Sequence, residues 1–247
     1  MPTTMVLYAW VGLLVGSLLR AGGDVLPSWR RDPEWPPHPN QTMRPRLAWL
    51  TMIRSLLRRH PHAGDATLWR GLLLELGTMS LFAYLWRHYG LSPQLVPATL
   101  YTCLFVLISV IDMEHRLVLN AVVFPASILA LSASFTSTGP APGSALLGGM
   151  LGFGLFALVA LAYRGGMGDG DVKLAGLIGL ITGFPHVVVA LVVGVLAGGL
   201  VALLLLLTKI KGRKSYIPYA PFLVIGGMVA MLYGPEIMAW YASLVHR

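Results

Sequence analysis

Charged residues are scarce in this chain. Only 11% of its 247 residues are Asp, Glu, Lys or Arg, while 56% are hydrophobic; an ordinary soluble domain is roughly 25% charged. So little charge cannot clothe a water-facing surface of this size, which excludes a separate soluble domain and places most of the chain in lipid. Cysteine is nearly absent too, because Cys103 stands alone inside an apolar run. Neither an intramolecular disulfide nor a cysteine-based zinc site can form from it. Acids are few, ten against 18 Lys and Arg, which leaves a formal net charge of +8. Basic proteins often bind phosphate backbones, but here the basic residues cluster between apolar runs, where cytoplasmic loops collect Lys and Arg. Nucleic acid is therefore not expected as a partner. The leading apolar stretch, 5–19, has no basic segment before it and no small-residue cleavage site after it, and it reads as a retained span.

What the chain has in quantity is apolar runs. They predict spans at 5–19, 71–86, 96–111, 119–135, 144–163, 174–184, 187–208 and 221–244, set against the about 20 residues that a helix needs to cross. The fold class expected is therefore all-α, a polytopic bundle of about eight transmembrane helices. The first and sixth are short, and the sixth also carries glycine, so it must be partly covered by protein. Threading eight spans puts 20–70, 112–118, 164–173 and 209–220 on one side, and these hold 16 of the 18 Lys and Arg, with only Arg87 and Arg247 opposite. That asymmetry predicts a cytoplasmic basic side and external termini. Two parts are expected, 1–92 with the basic loop and 93–247 with six spans. The loop 20–70 is rich in Arg and Pro and holds a candidate amphipathic helix, 47–57, suited to anionic headgroups. Its Asn40-Gln41-Thr42 sequon is read as chance, since it falls on the cytoplasmic side. Glycines 148, 149, 152, 154, 194, 198 and 199 suit close packing of helices.

Ionisable groups near lipid are expensive and so mark function. Glu75, Asp112, Glu114, Asp169, Asp171 and Glu236 qualify. Asp112 ends the third span and Asp171 opens the sixth, so both are expected at one depth although 59 positions separate them. Two carboxyls within reach of each other cannot both ionise easily; one holds a proton while the other serves as base, the aspartic-protease arrangement. Simpler readings stand beside this one. Asp171 also suits the N-cap of the sixth helix, and Asp112 suits an interfacial pair with Arg116 or His115. Asp169 is either a solvated loop residue or a second like charge beside Asp171. Lys173 is either an anchor at the membrane surface or a cation acting on Asp171. Glu75 either makes a core hydrogen bond or lines the site. The seven histidines show no metal-ligand spacing, and no metal site is expected.

Two segments carry a family resemblance. Gly165-Gly166-Met167-Gly168-Asp169-Gly170-Asp171-Val172-Lys173-Leu174 looks like GGMGxGDxKL, and Asp112-Met113-Glu114-His115-Arg116-Leu117-Val118-Leu119-Asn120 looks like an Asp-bearing segment that ends in Ile/Leu-Pro-Asn/Asp. On these the chain resembles the prepilin peptidases, or type IV leader peptidases, which are membrane aspartic proteases of the GxGD class. Likeness continues in 149–158, in Ile217-Pro218-Tyr219-Ala220-Pro221-Phe222, similar to the family's IPFGPF run, and more weakly in 12–19 with Leu26-Pro27. The departures are Leu119 in place of proline, Arg20 in place of asparagine, and a first loop without the two CxxC pairs that bind zinc in many members.

The resemblance implies an enzyme of the bacterial cytoplasmic membrane that removes the short basic leader of type IV prepilins or pseudopilins at the cytoplasmic face. Asp112 and Asp171 match the catalytic positions; Gly168, Gly170, Lys173, Glu75 and Asp169 are candidates for supporting the site or binding substrate. Proteolysis needs no cofactor. S-adenosylmethionine enters only with the family's second activity, N-methylation of the new amino terminus, which the loop's departures leave open; zinc is not expected. Prepilins and membrane lipids are the expected partners, and no oligomeric state follows. The alternatives are an ion or proton-coupled transporter using the same carboxylates, and another GxGD protease of presenilin-like or preflagellin type.

Overall fold

The computed structural model describes residues 2–26, 65–162, 167–208 and 218–245. Among them every element is helical: α1 (Pro2–Val25), α2 (Asp65–Tyr89), α3 (Leu95–His115), α4 (Asn120–Ala133), α5 (Pro142–Ala162), α6 (Asp169–Thr182), α7 (His186–Leu207) and α8 (Ala220–Val245). The all-α expectation holds, and each predicted apolar run corresponds to one helix, with ends shifted by a few residues. Five helices are both long and apolar enough to cross a membrane: α1, α3, α5, α7 and α8. Lipid-facing side chains such as Leu158, Leu196 and Leu207 stay exposed on them, as a bilayer requires. The other three differ from simple spans. α2 carries Arg70, Glu75 and Arg87, while α4 and α6 have 14 residues each, about 21 Å at 1.5 Å per residue against a core of about 30 Å.

Several ends move from their expected places: α3 runs on to His115, and α6 begins at Asp169. α1 does not stop near residue 19 but continues through Arg20 to Val25, and α2 begins at Asp65, so the expected loop 20–70 is shorter at both ends. The hydropathy pattern stops at the first charge, whereas helical hydrogen bonding does not. The rest of that loop, with the candidate helix 47–57 and the sequon, lies outside the described residues, as do Gly165, Gly166 and Ile217.

The chain packs as two compact units, Met1–Leu95 and Val96–Arg247. In the first, α1 lies along α2: Gly12 meets Phe82, Gly16 meets Thr78, and the Tyr8 ring stands 5.3 Å from those of Phe82 and Trp86. In the second, α6 is the core. It packs most closely on α5 and also touches α4, α7 and α8; Leu174, Ala175, Leu177 and Ile178 are at most 1% exposed. That cover lets so short a helix lie at membrane depth. Glycine makes it possible, for Gly148 of α5 faces Gly179 of α6 backbone to backbone, and a Cβ on Gly152 would collide with the Ala175 carbonyl. Gly194 and Gly198 likewise face α8 and Tyr219, whereas Gly154 and Gly199 look into open space.

Candidate active site

Asp112 continues a buried stripe of α3. Phe105, Ile108 and Asp112 follow at three- and four-residue steps, on one helix face, and are 0%, 1% and 4% exposed. A carboxyl so placed needs a partner, and it finds one far along the chain: the Ala220 backbone N–H donates to Asp112 Oδ2 at 3.2 Å. Ala220 opens α8, so this N–H is one that a helix cannot satisfy internally, and the helix dipole favours negative charge there. The Arg116 guanidinium also acts on Asp112 electrostatically. Arg116 is the residue at which α3 ends. It takes φ 56°, the left-handed region, and its N–H returns to the Asp112 carbonyl at 2.8 Å, a conformation that costs a non-glycine residue roughly 1–2 kcal/mol. His115 pairs with Glu114 at 4.0 Å and not with Asp112.

Asp171 sits in the first turn of α6 but does not cap it. The N-cap is Gly168, with extended φ −77° and ψ 144° and no side-chain cap hydrogen bond; Asp171 lies three residues in, its own N–H donating to the Gly168 carbonyl at 3.0 Å. The capping alternative is corrected on that point. The Asp171 side chain is buried, 5% exposed, and it precedes the apolar run of its helix. Burial pushes its carboxyl up to about 6; the neighbouring charge of Asp112 pushes in the same direction, and a hydrogen bond from the Gly168 backbone opposes both. The two aspartates thus feel each other, although they come from helices that the sequence separates widely. Such a pair holds one proton between two carboxyls over part of the pH range.

The other candidates are placed as follows. Gly170 lies against Val118, where an added Cβ would come within 2.7 Å of the valine Cβ. Lys173 Nζ donates to Asn120 Oδ1 at 2.9 Å. Asp169 and Glu236 are exposed. Glu75 belongs to the first unit, half-buried on α2 where Gly16 of α1 packs beside it. No group of three His, Cys, Asp or Glu among the described residues is arranged to hold a metal ion.

Three contributors went unassigned on sequence grounds: Asn120, Ala220 and Tyr219. The Tyr219 ring sits 6.2 Å from Phe156 and 6.3 Å from Phe222, over the bare face of Gly198. Its phenol is pushed up by burial and then by the charge of Asp171. The available signal was the Pro218-Tyr219-Ala220-Pro221 run, but a backbone N–H leaves no mark on a sequence.

Comparison with known proteins follows this geometry closely. The model of the type IV leader peptidase family matches residues 99–203, a stretch that includes both aspartates. The chain is 31% identical over 170 residues to a prepilin leader peptidase/N-methyltransferase of Bacillus subtilis, covering 69% of this chain and 68% of that protein. It is 30% identical to the protein of that name in Pseudomonas aeruginosa, over 68% of this chain and 60% of the relative. With the Xanthomonas campestris pv. campestris protein identity is 28%, over 94% of this chain and 92% of the other. No solved structure matches.

Proposed function

Because the chain belongs to the type IV leader peptidase family, we propose that it is a membrane-embedded aspartic endopeptidase that removes the leader of type IV prepilins or pseudopilins at the cytoplasmic face, with Asp112 and Asp171 as its catalytic residues. What supports the assignment of residues is that two carboxyls from α3 and α6 are both buried, 4% and 5% exposed, and that the charge of Asp112 acts on Asp171. In the cycle, the ionised member takes a proton from water as the oxygen attacks the scissile carbonyl carbon. The neutral member gives its proton to the carbonyl oxygen, forming a gem-diol. Proton transfer to the amide nitrogen then lets the C–N bond break, leaving a carboxylate on the leader and a free amine on the mature helix. The pair acts as a unit, so neither aspartate is assigned the base alone.

The short, protein-wrapped α6 supports this reading. Peptide hydrolysis needs water, and a 14-residue helix that cannot cross the core leaves its first turn, with Asp171, toward one face. The concentration of Lys and Arg on one side supports a cytoplasmic position in the bacterial inner membrane, with both termini outside. N-methylation of the new amino terminus by S-adenosylmethionine is the second activity in this reading, after the names that the relatives carry. The transporter alternative gains no support from the fold or from the relatives.

The test is cleavage of a purified prepilin by wild type, Asp112→Asn and Asp171→Asn in matched membranes. Both variants are expected to lose about a thousandfold or more in rate; wild-type hydrolysis in either removes the dyad. Transfer of a labelled methyl group in the same reaction decides the second activity.

A further inference from the structure

The two segments that bear the aspartates are joined by very little. Within its unit α3 has no extensive backbone packing partner among the described helices, in contrast to α6, which is surrounded. The shaft of α3 is held by buried side chains such as Phe105, Ile108 and Ile111 and by the Ala220 N–H on Asp112, but these contacts do not reach the first turn of α6; the end of α3 does. That end is Arg116 in its left-handed turn, followed by Leu117, Val118 and Leu119, after which α4 starts at Asn120. Two contacts tie this short connection to the first turn of α6: Val118 rests on the bare face of Gly170, and Asn120 Oδ1 accepts from Lys173 Nζ at 2.9 Å. Gly170 and Lys173 flank Asp171 by one and two positions, and Asn120 follows Asp112 by eight. The bond therefore closes a ring of chain, 120–173, that contains Asp171 and opens eight residues after Asp112.

We propose that Lys173 and Asn120 are a positioning pair, whose hydrogen bond clamps the α3–α4 connection onto α6 and so sets the Asp112 carboxyl against that of Asp171. The pair acts through the aspartates and rests on the peptidase reading above. It also assigns Lys173 a role distinct from a membrane anchor or a charge acting on Asp171, because in either of those roles the asparagine would be dispensable.

The experiment measures kcat and KM for prepilin cleavage by the full chain in liposomes, for wild type, Asn120→Leu, Lys173→Met, the two combined, and Asn120→Asp. Asp112→Asn and Asp171→Asn are run alongside. Each single variant is expected to lower kcat by about 10- to 100-fold, the effect of displacing a reacting group by around an ångström. KM should change by less than about twofold, as for an interaction expressed in the transition state. The combined variant should be no worse than the weaker single, because both remove one contact. Asn120→Asp still accepts from the ammonium and should restore kcat to within about threefold of wild type. Apparent Tm should stay within about 2 °C across the series.

Wild-type kcat in Asn120→Leu with a loss in Lys173→Met overturns the proposal and leaves the lysine acting by charge. Multiplying losses in the combined variant, or kcat falling in step with Tm, overturns it as well. Activity that survives in Asp112→Asn or Asp171→Asn removes the peptidase site itself, and with it the pair. Dead aspartate variants beside unaffected Asn120 and Lys173 variants remove the pair alone.

Discussion

Replacing Asp171 by asparagine is expected to abolish cleavage and also to shift stability in favour of the variant as pH rises. The Asp171 carboxyl is held at about 6 against an ordinary value of 3.8, so the fold prefers its neutral form. Between about pH 4 and pH 6 the native state keeps a proton that the unfolded chain has released. Stability therefore falls as pH rises through that window and is level above it. At about 1.4 kcal/mol for each tenfold, keeping Asp171 ionised in place costs about 3 kcal/mol at pH 8. Asparagine has nearly the same shape and no charge, and any fixed cost of burying its amide cancels when two pH values are compared. About 0.6 kcal/mol of that cost is already present at pH 4, so the gap in apparent Tm between variant and wild type should move by about 5–10 °C in the variant's favour from pH 4 to pH 8, at about 2–4 °C per kcal/mol for a chain of this size. The assay is thermal unfolding by tryptophan fluorescence in one detergent at one scan rate, since membrane proteins often unfold irreversibly. A gap that does not change with pH, or that moves the other way, refutes the placing of Asp171 in a buried site beside a second acid.

Three further outcomes test the surroundings. Gly148→Val puts side-chain atoms into the Gly179 backbone and should cost about 1–3 kcal/mol, whereas Gly154→Val, with nothing within 4 Å, should stay within about 0.5 kcal/mol; paired melts separate them. Gly170→Ala, whose Cβ would lie 2.7 Å from that of Val118, should lower kcat about tenfold by moving the connection, and Val118→Gly in the same chain should recover most of it; no recovery counts against that contact. Chelation with EDTA should leave the cleavage rate unchanged, because Cys103 alone cannot build the family's zinc site; a rate that falls with chelator and returns with zinc points to ligands of another kind.

Hydropathy made the helices legible because it is a local sum, and lipid demands it of every span. Each predicted run became one helix, and the small residues 148, 149 and 152 marked the face on which α5 meets α6. Asp112 and Asp171 were legible as acids where apolar runs begin or end, and the motifs around them pointed to the family. What a run does once folded was not legible in the same way. Arg20 looked like the start of a loop but lies inside α1, and Asp171 looked like a cap but sits three residues past one.

By itself the sequence determined that this is a helical membrane protein with two acids at the edges of apolar segments, because burial of apolar surface and the scarcity of charge are properties of the chain read in order. Tertiary structure decided that α6 is a wrapped core helix and not a simple span, that Asp112 is held by the Ala220 N–H from 108 residues away, and that Lys173 reaches Asn120 across 53. Those contacts depend on which helix faces come together, and that follows from how close the glycine-faced backbones can approach, a quantity that no single segment contains.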